Sequence, residues 1–141
     1  SAIDVEAATD LSVCAFPKAA LDRMIKDNPE LEHRLLQQTL NELDEARSWM
    51  VTLGRKTAAE KVASFHWLIA THADPKIVTE SRSLTFDLPL TRADIADFLG
   101  LTIETVSRQM TKLRKENVIT IENNRHVTVH DLDRLERRAC F

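Results

Sequence analysis

The sequence predicts a mainly helical fold with small β elements, in which a long amphipathic helix leads into a winged helix-turn-helix. Three observations carry this expectation. Apolar positions between Pro29 and Gly54 repeat in steps of three and four, the spacing of a helix with a coiled-coil seam. The stretch TRADIADFLGLTIETVSRQMTKLR, Thr91 to Arg114, reads as two short helices meeting at Gly100, a residue type that ends helices in left-handed backbone without strain. Two β-branched runs follow, VITIE at 118–122 and HVTV at 126–129. A hairpin directly behind a helix-turn-helix is a wing.

The elements follow in chain order. Ile3, Val5 and Ala7 alternate as a strand does, and Leu11, Val13 and Ala15 repeat the pattern after Thr9-Asp10. Two short strands are not stable alone. The segment therefore reads as the end of a β-domain whose remainder lies upstream, and the chain begins without methionine. Pro17 opens a short helix with Leu21, Met24 and Ile25 on its apolar face, ending at Asp27-Asn28. Asn28 is placed to cap the long helix, with Pro29 at its first position. Running to Gly54, that helix would be roughly 25 residues or about 38 Å long. Leu36, Thr39, Leu43, Ala46, Met50 and Leu53 form its seam, while Leu31, Leu35, Leu40 and Trp49 make a second apolar surface. A seam of this length is expected to pair two copies, with Leu36, Leu43, Met50 and Leu53 as its dimerisation residues; the other reading buries both faces within one monomer.

Thr57-Ala-Ala-Glu60 is a capping box, starting a helix with Val62, Phe65, Leu68 and Ile69 on its apolar face and ending before Pro75. Residues 74–83 read as a loop, and Leu84, Phe86 and Leu88 alternate as a short strand before Pro89. In the helix-turn-helix, Thr91 and Thr102 are the expected N-caps, Ala96 sits where two helices come close, and Val106 points back at the first helix. The wing strands are joined by Asn123-Asn124-Arg125, a turn composition that suits a tight hairpin. A last helix runs from Leu132 to about Ala139. The chain thus divides into 1–28, 29–54 and 55–141.

Composition narrows the function. The 141 residues are 43% apolar and 29% charged, values of a globular protein rather than a disordered one. No run of about 18 apolar residues would cross a membrane, and the acidic start carries no signal region, so a cytoplasmic location is expected. The net charge of −3 is uneven, −4 over residues 1–87 and +1 over 88–141, which leaves a basic surface at one end where phosphates could be met. Cys14 and Cys140 form no CxxC and read as reduced thiols. His66 and His72 are six apart on a helix, and His126 and His130 lie in strand and turn without a cysteine or carboxylate cluster, so no metal is expected. With two glycines and no nucleophile–base arrangement, neither a phosphate loop nor an enzyme is expected.

On the second helix of the pair, Glu104, Ser107, Arg108 and Thr111 share the outer face, and Val106, Met110 and Leu113 the inner one. Arg108 can donate two parallel hydrogen bonds to guanine O6 and N7, Glu104 can accept from an exocyclic amine, and Ser107 can touch a thymine methyl. Arg92, Thr102 and Thr105 border this face and suit phosphates, as does the helix N-terminus; Thr111, and His126 on the wing, are added to that set. Glu104 and Arg108 also form an i, i+4 acid–base pair, worth only about 0.2–0.5 kcal/mol on an exposed helix. The two readings are compatible, since the pair could orient Arg108 for guanine.

The segment LTRADIADFLGLTIETVSRQMTKL resembles the DNA-binding signature of the Crp/Fnr superfamily of bacterial transcription regulators. The pattern E-x-x-S-R at Glu104, Ser107 and Arg108 is similar to the Fnr and FixK branch, the catabolite-activator branch usually having glycine at the position of Ser107. The resemblance implies that residues 1–16 end a β-roll sensor domain, 29–54 form a dimerisation helix, and 55–139 form the winged DNA-binding domain. It implies a homodimer reading a TTGAT half-site in an inverted repeat through Glu104, Ser107 and Arg108, an activator role, and RNA polymerase as a partner. Gln109 departs from the family, which often places an aliphatic residue there. An iron–sulfur cluster of the kind some relatives carry needs about four cysteines, so no cofactor is expected in this chain. Two other function classes remain open: a winged-helix protein-interaction module, and a redox sensor acting through cysteine.

Overall fold

The computed structural model describes residues 4–73 and 83–140, which divide into two compact units, 1–51 and 52–141. The fold is mainly helical with a small three-stranded antiparallel sheet. Of the loop expected at 74–83, all but Ser83 lies outside the described residues.

In the first unit the strand expectation is corrected. Residues 4–16 form no strand, and Val5, Leu11, Val13 and Phe16 are exposed. Alternation supplies a face, but a strand exists only when its backbone groups find a ladder partner, and these residues have none among the described ones. Helix α1 spans Lys18–Asp27 with Pro17 at its N-cap. Helix α2 spans Pro29–Arg55, one residue beyond the expected end. Asn28 Oδ1 accepts from the Leu31 amide at 3.3 Å, the capping bond expected of asparagine. Glu30 and Glu32 occupy the first turn, where the helix dipole favours acids, and Glu30 pairs with Arg34 at 2.8 Å. Along the seam, Leu36, Leu43 and Met50 are 57, 44 and 71% exposed.

The second unit is built around helix α3, Ala58–Ala73. Its capping box is present in both directions: Glu60 Oε2 accepts from the Thr57 amide at 2.7 Å and Thr57 Oγ1 from the Glu60 amide at 3.4 Å. Val62, Phe65 and Ala70 are buried, while Leu68 and Ile69 are half-buried. Strand β1, Leu84–Asp87, alternates buried and exposed as expected. Helices α4, Arg92–Leu99, and α5, Ile103–Lys115, form the helix-turn-helix. Strands β2, Ile119–Glu122, and β3, His126–Val129, form the wing hairpin. Helix α6, Leu132–Ala139, closes the domain and packs extensively on α3.

Two left-handed residues set the geometry around α5. Gly100, at φ 63°, ends α4, and the Leu101 amide donates to the Ala96 carbonyl at 2.9 Å. Asn117, at φ 54°, ends α5 in the same way, with the Val118 amide donating to the Leu113 carbonyl at 3.0 Å. Both are Schellman closures, so α5 is held between two sharp reversals. In the wing turn, Asn123 and Asn124 both take positive φ, as a type I′ turn requires.

β3 lies between β2 and β1, making the wing a three-stranded sheet. Leu84 pairs with Val129 and Phe86 with Val127. This partnership spans some 45 positions, and no local signal announces it. Its inward residues Leu84, Phe86, Val127 and Val129 join Ile95, Leu99, Val106, Met110 and Leu135 in the core.

Candidate nucleic-acid interface

Helix α5 owes its orientation to its inner face. Val106, Met110 and Leu113 are buried, spaced by four and three so that one stripe meets the core. Ala96 on α4 is also buried, and its small side chain permits the close approach expected there. The opposite face is thereby turned to solvent. Glu104 and Arg108 are exposed, and Ser107 and Thr111 half-buried beside them. Ser107, Arg108 and Thr111 line a concavity of about 420 Å³ together with Lys112 and Lys115. Lys112, Arg114 and Lys115 all sit in the last turn, where cations complement the helix dipole.

At the helix start, Thr102 caps α5: its Oγ1 accepts from the Thr105 amide at 3.2 Å. Its own hydroxyl donates to Thr105 Oγ1 at 2.9 Å. Arg108 Nη2 donates to the same Thr105 oxygen at 3.3 Å. The expected Glu104–Arg108 pair is not formed among the described residues, so the group orienting Arg108 is Thr105. A hydroxyl three residues before the arginine reaches its Nη2, and the Glu104 carboxylate is left exposed.

The residues assigned to phosphates are placed unequally. Thr91 caps α4 through a box with Asp94, whose amide donates to Thr91 Oγ1 at 3.2 Å. This places Arg92 at the first helical position, half-buried, with its Nε enclosed and without a hydrogen-bond partner among the described residues. Burial, and then the Arg114 guanidinium, holds its pKa below the ordinary arginine value. Thr102 and Thr105 lie together at the α5 N-terminus, whose free amides favour anions. His126 is separate from this group. Its Nδ1 lies 2.7 Å from Asp87 Oδ1 across the β1–β3 pair.

Gln109 is half-buried and lines a different cavity, of about 240 Å³, with Lys112, Leu113 and Arg137. Met110, next in sequence, is buried in the inner stripe. Cys140 ends α6 in left-handed backbone, and its thiol donates to Glu60 Oε1 at 3.2 Å. That hydrogen bond holds the thiol pKa above its usual value, which keeps it protonated and less nucleophilic. The arrangement disfavours a cysteine-based sensor at this position. No helix among the described residues is long and apolar enough to cross a membrane.

Residues 60–138 match the family model described as the Crp-like helix-turn-helix domain. Over 97% of its length the chain is 64% identical to a protein of Rhizobium leguminosarum bv. viciae named a probable transcriptional activator. Over 98% it is 50% identical to the transcriptional activator protein FnrL of Cereibacter sphaeroides. The chain spans 56% of the length of each of these relatives. The solved structure of FixK2 from Bradyrhizobium japonicum aligns with a TM-score of 0.70 at 31% identity, covering 85% of this chain and 57% of that one.

Proposed function

The chain belongs to the Crp/Fnr superfamily, a family of transcription regulators rather than enzymes, and on that premise we propose that it is the DNA-binding part of an activator that reads a palindromic operator as a homodimer. The observation that carries the reading is α5 itself. Its inner stripe is buried, and the outer face presents Glu104, Ser107 and Arg108 beside Lys112 and Lys115. Arg108 uses one of its five N–H groups on Thr105 and keeps four, enough for the bidentate bond to guanine.

In this reading Glu104, Ser107 and Arg108 select a TTGAT half-site, and Thr102, Thr105 and Thr111 border the phosphates. Arg92 supports a phosphate contact on electrostatic grounds. A partly desolvated guanidinium facing a second arginine is relieved by an anion. The α2 seam, with Leu36, Leu43, Met50 and Leu53 exposed, pairs two copies. Their recognition helices would enter successive major grooves about 34 Å apart. The activator role named for the relatives implies contact with RNA polymerase in the cytoplasm, and an upstream signal would act by shifting the α2 pair between two settings.

In vitro selection of duplexes bound by the chain tests this directly. The expected result is an inverted repeat with TTGAT-like halves, and Arg108→Ala should lose about 1–3 kcal/mol per half-site and relax one base pair. Recovery of no consensus, with weak and barely salt-sensitive binding, would refute operator reading and favour a protein-interaction module.

A further inference from the structure

We propose that Thr105 is a positioning residue that sets the Arg108 guanidinium for base reading and links that setting to contact with a backbone phosphate. The inference rests on the base-reading role given to Arg108 above. A threonine hydroxyl has one proton to donate and two lone pairs to accept with. Thr102 holds the Thr105 amide through its Oγ1 at 3.2 Å, so its own hydroxyl proton is directed onto Thr105 Oγ1, 2.9 Å away. Arg108 Nη2 donates to that same oxygen at 3.3 Å. Both lone pairs of Thr105 are therefore in use. Its single remaining valence is the hydroxyl proton, which no described residue accepts.

That proton sits in the first turn of α5, where the unpaired amides and the helix dipole concentrate positive charge. A donor-only hydroxyl at such a place is matched by an anionic oxygen, and along a duplex that oxygen belongs to a phosphate. When a phosphate oxygen accepts a hydrogen bond from this hydroxyl, the Thr105 oxygen becomes more electron-rich and accepts more strongly from Arg108, the polarisation expected along a hydrogen-bond chain. Backbone docking and arginine orientation thus pass through one atom. Holding Arg108 before binding also removes rotamer freedom that would otherwise be lost at the interface. Glu104, not consumed by the arginine, keeps its carboxylate for a base amine.

The test uses the full chain and four duplexes carrying the TTGAT inverted repeat, with each base pair in turn at the guanine position. Affinities are measured by fluorescence anisotropy over a range of salt. A bidentate guanine contact gives a preference of about 5- to 150-fold. Thr105→Val removes the hydroxyl at nearly constant shape, and should bring this preference close to one while leaving the salt slope unchanged, because a neutral hydroxyl releases no counterion. Thr105→Ser keeps the hydroxyl and should restore the preference. A purely structural role would weaken all four duplexes by a common factor and leave their ratio unchanged, which would overturn the proposal, as would failure of Thr105→Ser to rescue. Arg108→Ala separates the two levels. If that variant keeps the guanine preference, the base-reading assignment falls; if it loses the preference while Thr105→Val retains it, only the Thr105 linkage falls.

Discussion

His66 makes the stability of the DNA-binding unit depend on pH in a calculable way. It lies in α3 with no solvent exposure, edge-on to Phe65 with ring centroids 5.6 Å apart. Its Nδ1 is 2.8 Å from the Val62 carbonyl, so Nδ1–H donates and Nε2 is a bare acceptor, enclosed and without a partner among the described residues. Burial is the main reason that its pKa falls from 6.5 to about 4, and the nearby Arg92 charge adds to it. The native state therefore holds a neutral imidazole. As pH falls below 6.5 the unfolded chain binds a proton first, so stability is complete above that pH and drains away down to about pH 4. At about 1.4 kcal/mol per pH unit, the gap is worth about 3 kcal/mol, a large share of the 5–15 kcal/mol typical of a domain. Urea unfolding followed by circular dichroism at pH 7.5 and pH 4.5 would measure it. Wild type should lose roughly 2–3 kcal/mol more than His66→Leu between the two conditions. Equal losses in the two proteins would show that His66 is protonated, or solvated, in the native state.

Two further outcomes are expected. Gly100→Ala meets no atom within 4 Å, but the site has φ +63°, so the cost should be backbone strain alone, about 1–2 kcal/mol in thermal or urea unfolding. Gly100→Asn should cost less, because asparagine tolerates that region; equal costs would contradict the strain account. Leu43→Asp places a charge in the exposed α2 seam and should convert the proposed dimer to monomer in sedimentation velocity, whereas an unchanged dimer would place the interface elsewhere.

Local chemistry was readable wherever the cause of a structure lies within about four residues of its effect. Thr57-x-x-Glu60, Thr91, Thr102, Gly100 and the Asn123-Asn124 turn all took the conformations their residue types imply. The split of α5 into an inner stripe and an outer face followed from the helical repeat in the same way. Residues 4–16 show the limit of such reading: alternation alone suggests a strand, yet without a ladder partner among the described residues the backbone forms none. The role of Thr105 was missed for a different reason. Glu104 and Arg108 have the familiar i, i+4 spacing, but which acceptor an arginine takes depends on the rotamer it adopts. A threonine cap at Thr102, a threonine at Thr105 and an arginine at Arg108, each three apart, is the signal that would have found it.

The sequence by itself determined the order of elements from α1 onward, most of the helix ends, the split of α5 into an inner and an outer face and the family resemblance, because these rest on periodicity, turn chemistry and residue type. Only the tertiary structure decided that β1 completes the wing by pairing with β3, that His126 is held by Asp87 and that Thr105 holds Arg108. It also decided that His66 is sealed in the core. The first two join residues some 40 positions apart, and the last depends on elements drawn from the whole domain. Such juxtapositions are set by packing as a whole, which no window of the sequence contains; the Thr105 contact is local, but its choice of partner was settled by side-chain geometry.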